Sequence, residues 1–349
     1  MKHALATIAA FIAMSGAAGA IECSYRQAPY SADLRQALEG VTSEAPYAQL
    51  LRWRALTEAE PGNTVAWRWR ADVERKLGES MAAAQSLDRV LELDPCDYHA
   101  RVARGQAAEK AGALPAAYDD YTLAIEVDPT KPAAYELRGA LLLRAALFPN
   151  ALADFNAALE RGPASVDLLL NRGGVFQERG EYPRAIADYD RALQIEPGNL
   201  DALAARGYTR FFLRDYDGAA EDFEPVAEAL DENALVWFFL ARSRLGDPDA
   251  AEDFAIGAAR LPQGRWMRDV AEPFLTGRPD EDLLRTAEEP VQRCSAWFYL
   301  GEVALGKGDS ERAKQAFLAA ADACPIDPVR YSGSLREYVG ATEELKLLQ

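Results

Sequence analysis

The chain has 349 residues, 49% of them hydrophobic and 27% charged, the composition of a folded globular protein and not of a disordered one. Acidic residues number 55 against 38 basic, and the resulting net charge of −17 repels phosphate backbones, which argues against a nucleic-acid partner. Of the 2 histidines one is His3, so His-rich metal sites are excluded and a histidine-based triad would depend on His99 alone.

In chain order, Lys2 and His3 precede an apolar run from Ala4 to Met14, and Ala18-Gly19-Ala20 follows, the order of a secretory signal peptide. As a helix that run is too short to span a bilayer core, so the expectation is cleavage near Ala20 and a periplasmic mature chain starting at Ile21. No later stretch has the length and apolarity of a transmembrane segment. Glu22 stands where lipoprotein processing sites carry a small residue, which argues against lipidation of Cys23.

Beyond the leader the sequence repeats. Prolines fall at Pro61, Pro95, Pro129, Pro163 and Pro197, each 34 residues after the last. A small-residue column keeps that step through Ala71, Gly105, Gly139, Gly173, Gly207 and Ala241, and an alanine column through Ala83, Ala117, Ala151, Ala185 and Ala219. Four residues past those alanines come Leu87, Tyr121, Phe155, Tyr189 and Phe223. The spacing puts these columns on single helical faces: small residues let two helices approach, and the large column is expected to fill the gap between successive hairpins. The prolines stop one helix before the next begins. A period in this range means a stack of helical hairpins.

Residues 21–61 read as an N-terminal segment and a degenerate first repeat, with Ala37 in the small column and Trp53 in the large one. The array proper covers 62–262, its last part shortened by three so that Ala250, Phe254, Gly257 and Pro262 arrive early. Residues 263–290 lose the register and carry Pro273, Pro279 and Pro290; short helices are expected around Trp266–Leu275 and Asp280–Ala287. Trp297, Gly301, Ala313, Phe317 and Ala320 restore a unit at 291–325, and 326–349 is expected to hold a helix capping the open end.

These columns resemble the tetratricopeptide repeat over roughly 30–262 and again over 294–325. The resemblance implies an all-α solenoid, a right-handed superhelix of helix-turn-helix units, here with an irregular helical insertion and a C-terminal capping helix. It also implies protein or peptide partners, bound along a concave face lined by the first helix of each unit. Aromatic side chains accumulate on that face at Tyr208, Phe211, Phe212 and Phe238. They read either as a partner-binding surface or as a patch covered by the 263–290 segment or the tail.

Arg104, Arg138, Arg172 and Arg206 each precede a column glycine, and Asp120, Asp154, Asp188 and Asp222 follow sixteen residues later. An ion pair between the two helices of each unit is expected, with an arginine ladder for acidic peptides as the functional alternative. Cys294 opens the first helix of the last unit and Cys324 closes its second, where antiparallel helices bring them together; the alternative is two buried thiols. Cys23 and Cys96 are the second candidate pair.

No P-loop, no Gly-x-Gly-x-x-Gly opening a helix and no supported Cys-x-x-Cys occurs, so no cofactor, metal or catalytic set is expected. The segment from Trp297-Phe298-Tyr299-Leu300-Gly301 to Tyr331-Ser332-Gly333-Ser334 is similar to the C-terminal part of periplasmic adaptors of the NlpI type. Those are lipoprotein scaffolds for cell-wall hydrolases and a protease, often dimeric, so a homodimer is one assembly the similarity allows. The expectation is a non-catalytic periplasmic scaffold, set against an accessory of a polysaccharide or outer-membrane assembly machine and, last, a hydrolase using acidic residues.

Overall fold

The computed structural model of the chain describes residues 45–262, 266, 268, 270–271, 280–324 and 334–348. The expected signal peptide, Ile21, Cys23, Ala37, most of the helix anticipated around Trp266–Leu275, and Pro325 lie outside the described residues. Among the described residues the secondary structure is helical, with no strand. The chain divides into two compact units, Met1–Ala164 and Ser165–Gln349.

The described part of the first unit holds α1 (Pro46–Ala59), α2 (Thr64–Lys76), α3 (Ser80–Leu93), α4 (Tyr98–Lys110), α5 (Leu114–Val127), α6 (Pro132–Arg144) and α7 (Phe148–Arg161). Helices α2 and α3, α4 and α5, and α6 and α7 pack as antiparallel hairpins, and α3 touches α4 as α5 touches α6. First helices start where a side chain can accept an orphan backbone N–H: Asn63 takes that of Ala66 and Asp97 that of Ala100. Second helices end at Asp94 and Asp128, and the prolines that follow cannot continue them. Trp53 of α1 is fully buried and stacks on Trp69 at 5.8 Å between ring centroids.

The second unit holds α8 (Val166–Glu178), α9 (Tyr182–Ile195), α10 (Leu200–Phe212), α11 (Tyr216–Glu228), α12 (Glu232–Arg244), α13 (Ala250–Ala259), α14 (Asp280–Thr286), α15 (Pro290–Gly306), α16 (Ser310–Ala323) and α17 (Ser334–Leu347). A single apolar cluster runs from Tyr208 on α10 to Ala341 on α17. The 291–325 unit is therefore not isolated from the array by the irregular segment. Helix α15 packs directly on α12, with Trp237 and Phe298 rings 5.4 Å apart. Those side chains are too large to leave a solvated gap between the hairpins.

The glycine column works inside each hairpin. A Cβ built on Gly105 would sit 2.6 Å from the Tyr121 ring, and one on Gly173 would sit 2.5 Å from Tyr189. The large column therefore fills the seam of its own hairpin, sixteen residues from its glycine, and not only the gap between successive hairpins. Turns within hairpins use a left-handed residue at Gly78, Gly112 and Gly180, and the same step continues through Ala146 and Arg214 at φ 57° and 64°.

Candidate functional site

The two helices of each middle hairpin are joined by a forked ion pair. Arg104 Nε and Nη2 donate to Asp120 at 2.9 and 2.7 Å, and Arg138 reaches Asp154 at 2.8 Å through both nitrogens. Arg172 reaches Asp188 at 2.7 and 2.6 Å, and Arg206 Nη2 reaches Asp222 at 2.6 Å. All four aspartates are buried. The remaining Nη1 of Arg104 and Arg206 turns to the preceding hairpin, at Asp88 and Asp190, and that of Arg138 to Thr122. Each fork is closed on a buried carboxylate, and Nη1 of Arg104 and of Arg206 meets a second one, so these guanidinium groups are charge-paired within the stack and do not form a row of unpaired cations.

The four aromatic residues do not form one open surface. Tyr208 and Phe211 are each only 3% exposed, set edge-on around the ring of Trp237 at 5.3 and 5.0 Å. Phe212 is half-buried between Tyr182 and the tail helix, and Phe238 lies under Arg242. Helix α17, which packs on α15 and α16, meets Phe212 at Gly340. Of the readings open from sequence, a free partner surface at Tyr208 and Phe211 is corrected here: the rings of Phe223, Tyr216 and Trp237 close around them.

In the first unit the corresponding face carries a pocket that the described residues leave open. This pocket of ≈ 130 Å³ has an apolar floor of Ala71, Leu87, Ala100 and Ala103 and a charged rim of Arg68, Asp72, Arg75 and His99. Arg68 leans on Asp97 at 3.4 Å, and Asp72 is shared by Arg75 and Lys76 at 2.6 and 2.7 Å. Desolvation and the nearby Lys131 ammonium hold the His99 imidazole below its ordinary range.

Sequence reasoning missed a buried charge cluster in the second unit. Glu302 on α15 accepts from Arg244 Nε at 2.7 Å, and Arg244 also lies 3.0 Å from Glu344 on α17. Arg214 donates to both oxygens of Glu344, and Tyr299 donates to Glu337 at 3.3 Å. These residues break the repeat columns, so no periodicity could reveal them. The Cys294–Cys324 bond joins α15 to the end of α16 with Cα atoms 4.6 Å apart. Cys96 is also disulfide-bonded, while Cys23 lies outside the described residues.

The tetratricopeptide-repeat family model matches residues 69–132, 137–199 and 288–328. The chain is a tetratricopeptide-repeat protein. Among solved structures it is similar to PilW, described as a widely conserved type IV pilus biogenesis factor, at 19% identity and a TM-score of 0.52, over 58% of this chain and 95% of that one. It is similar as well to PilF of Pseudomonas aeruginosa, at 16% identity and a TM-score of 0.52, over 62% of this chain and 97% of that one. No curated protein matches by sequence. Among the described residues of this tetratricopeptide-repeat protein, no helix is long and apolar enough to cross a membrane.

Burial of the Glu302 carboxyl, beyond what the Arg244 charge recovers, pushes it from 4.5 up to about 7. The folded state thus binds this proton more tightly than the unfolded chain. Its contribution is full below pH 4.5 and is lost as pH rises through about 7. Between pH 5.5 and 8 the contribution should fall by about 2 kcal/mol, and Glu302→Gln should remove that difference. Urea melts of both proteins at the two pH values check it; parallel pH dependences would count against Glu302 as the titrating group.

Proposed function

We propose that this protein is a non-catalytic, exported scaffold that holds protein partners on the first-helix face of its first unit. The observation that carries the reading is the pocket that the described residues form there, an apolar floor rimmed by Arg68, Asp72, Arg75 and His99. Mixed charge around a small apolar floor suits an extended peptide, whose backbone needs polar partners while one side chain fills the pocket. The apolar leader with Ala18-Gly19-Ala20 supports a periplasmic site of action, and cell-wall enzymes are the partner class that the NlpI-type similarity favours.

A photo-crosslinking residue placed at Arg75 or His99 should trap discrete partners in intact cells, and one at the exposed Glu126 should not. Equal yields from all three positions would sink the assignment of this face. The identity of the trapped proteins separates a cell-wall scaffold from an accessory of an envelope assembly machine; PilW is described as a type IV pilus biogenesis factor. Turnover of cell-wall glycan by the purified chain alone would overturn the non-catalytic reading.

A further inference from the structure

Helix α17 is seated on the second unit by two kinds of contact. The apolar one centres on Gly340, where a Cβ would come within 2.6 Å of the Phe298 ring and 3.3 Å of Phe212. Ala341 beside it is fully buried, and Leu345 packs on the same cluster. The charged contact is Glu344, held by Arg214 at 2.9 Å and by Arg244 at 3.0 Å.

Two features separate this seat from an ordinary core. Arg214 sits at φ 64°, at the turn position that Gly78, Gly112 and Gly180 occupy in earlier hairpins. A side chain there costs on the order of 1 kcal/mol of backbone strain, and the one present is the group that reaches the tail. Arg244 is imperfectly paired: its Nη2 is buried and within ion-pair distance of Glu344, yet off the direction of a hydrogen bond. Glu302 Oε1 and the Tyr216 hydroxyl are likewise buried without a hydrogen-bond partner among the described residues. Such groups recover hydration when the tail leaves, which lowers the cost of its departure.

We propose that α17 is a displaceable internal ligand, and that the seat it vacates takes a partner's amphipathic helix. What the tail shows of that helix is specific. A glycine must face Phe298 and Phe212, because even a Cβ there would come within 2.6 Å of the Phe298 ring. A carboxylate three residues before it meets Tyr299, as Glu337 does, and one four residues after it meets Arg214 and Arg244, as Glu344 does. The uncovered patch would be aromatic and rimmed by two arginines, so it selects an acidic helix over a basic one. Attachment in the same chain gives the tail a high effective concentration, and a partner must bind more tightly to replace it. The Cys294–Cys324 bond keeps the last hairpin closed while its tail is away. This surface is separate from the pocket of the first unit and does not depend on that assignment.

The test uses the full mature chain and a fluorescein-labelled peptide of residues 334–348. Glu344→Gln in the chain loosens its own tail, and that protein should bind the wild-type peptide at least tenfold more tightly than the wild-type chain does. The same peptide carrying Gly340→Leu should lose this binding. Equal affinity for both chains, no binding to either, or retention of the leucine peptide overturns the proposal. Dimerisation of the Glu344→Gln chain in place of peptide capture also overturns it, since the seat would then serve a second copy's tail. Hydrogen exchange on the wild-type chain gives a readout independent of the variant: α17 amides should exchange at least tenfold faster than those of α15 and α16. Exchange of all three helices together would mean that the tail is ordinary core.

Discussion

Replacing Asp188 with Ala should destabilise the second unit by about 3–5 kcal/mol, the cost of leaving a largely buried guanidinium without its carboxylate. Asp188 is 3% exposed and its partner Arg172 16%, so water cannot solvate the orphaned charge fully. The geometry is a fork, with both Nε and Nη2 engaged, which concentrates the loss in one residue. Removing both partners, as Arg172→Leu with Asp188→Leu, should cost less than removing the aspartate alone, because no charge remains buried. Urea denaturation of Arg172→Leu, Asp188→Leu and the double variant forms the cycle that reads the coupling directly. A double variant as unstable as the sum of the singles would show that the pair contributes nothing beyond its separate side chains. In a stack of hairpins the damage should spread mainly to neighbours, so α8 to α11 should lose hydrogen-exchange protection first.

Replacing Cys294 and Cys324 together with serine should remove about 3–4 kcal/mol, the chain-entropy value for closing a loop of that length. The two cysteines are 30 residues apart in sequence and tie α15 to the end of α16. Read from sequence, the loss belongs to the last hairpin alone. The structure relocates it. Phe298 and Phe317 share one cluster with Trp237, Phe223 and Phe254, so loosening the hairpin exposes the core of α10 to α13 as well. Non-reducing and reducing thermal melts of the wild-type chain, beside the double serine variant, measure the effect. A loss confined to α15 and α16 in hydrogen exchange would contradict this sharing of the core.

What the sequence determined by itself is the repeating part. A 34-residue step in Pro61 to Pro197 and in the glycine, alanine and aromatic columns is a local property, written into every hairpin by the same steric need. Tyr121, Phe155, Tyr189, Phe223 and Phe317 each require a small residue opposite, and Gly105, Gly139, Gly173, Gly207 and Gly301 supply it. The sixteen-residue spacing of arginine and aspartate belongs to the same class, since both ends sit at fixed places in one hairpin.

What only the tertiary structure decided is where the chain departs from its repeat. Tyr208 and Phe211 look like concave-face aromatics by register, and they are core because Phe223, Tyr216 and Trp237 close around their rings in one cluster with the docked α15. That docking depends on contacts between residues far apart in sequence: Trp237 with Phe298, Arg244 with Glu302, and Arg214 with Glu344 across 130 residues. None of these recurs, so no column marks them. Period reports what each hairpin does for itself, whereas the covering of one face and the opening of another arise from unique long-range pairings that only folding brings together.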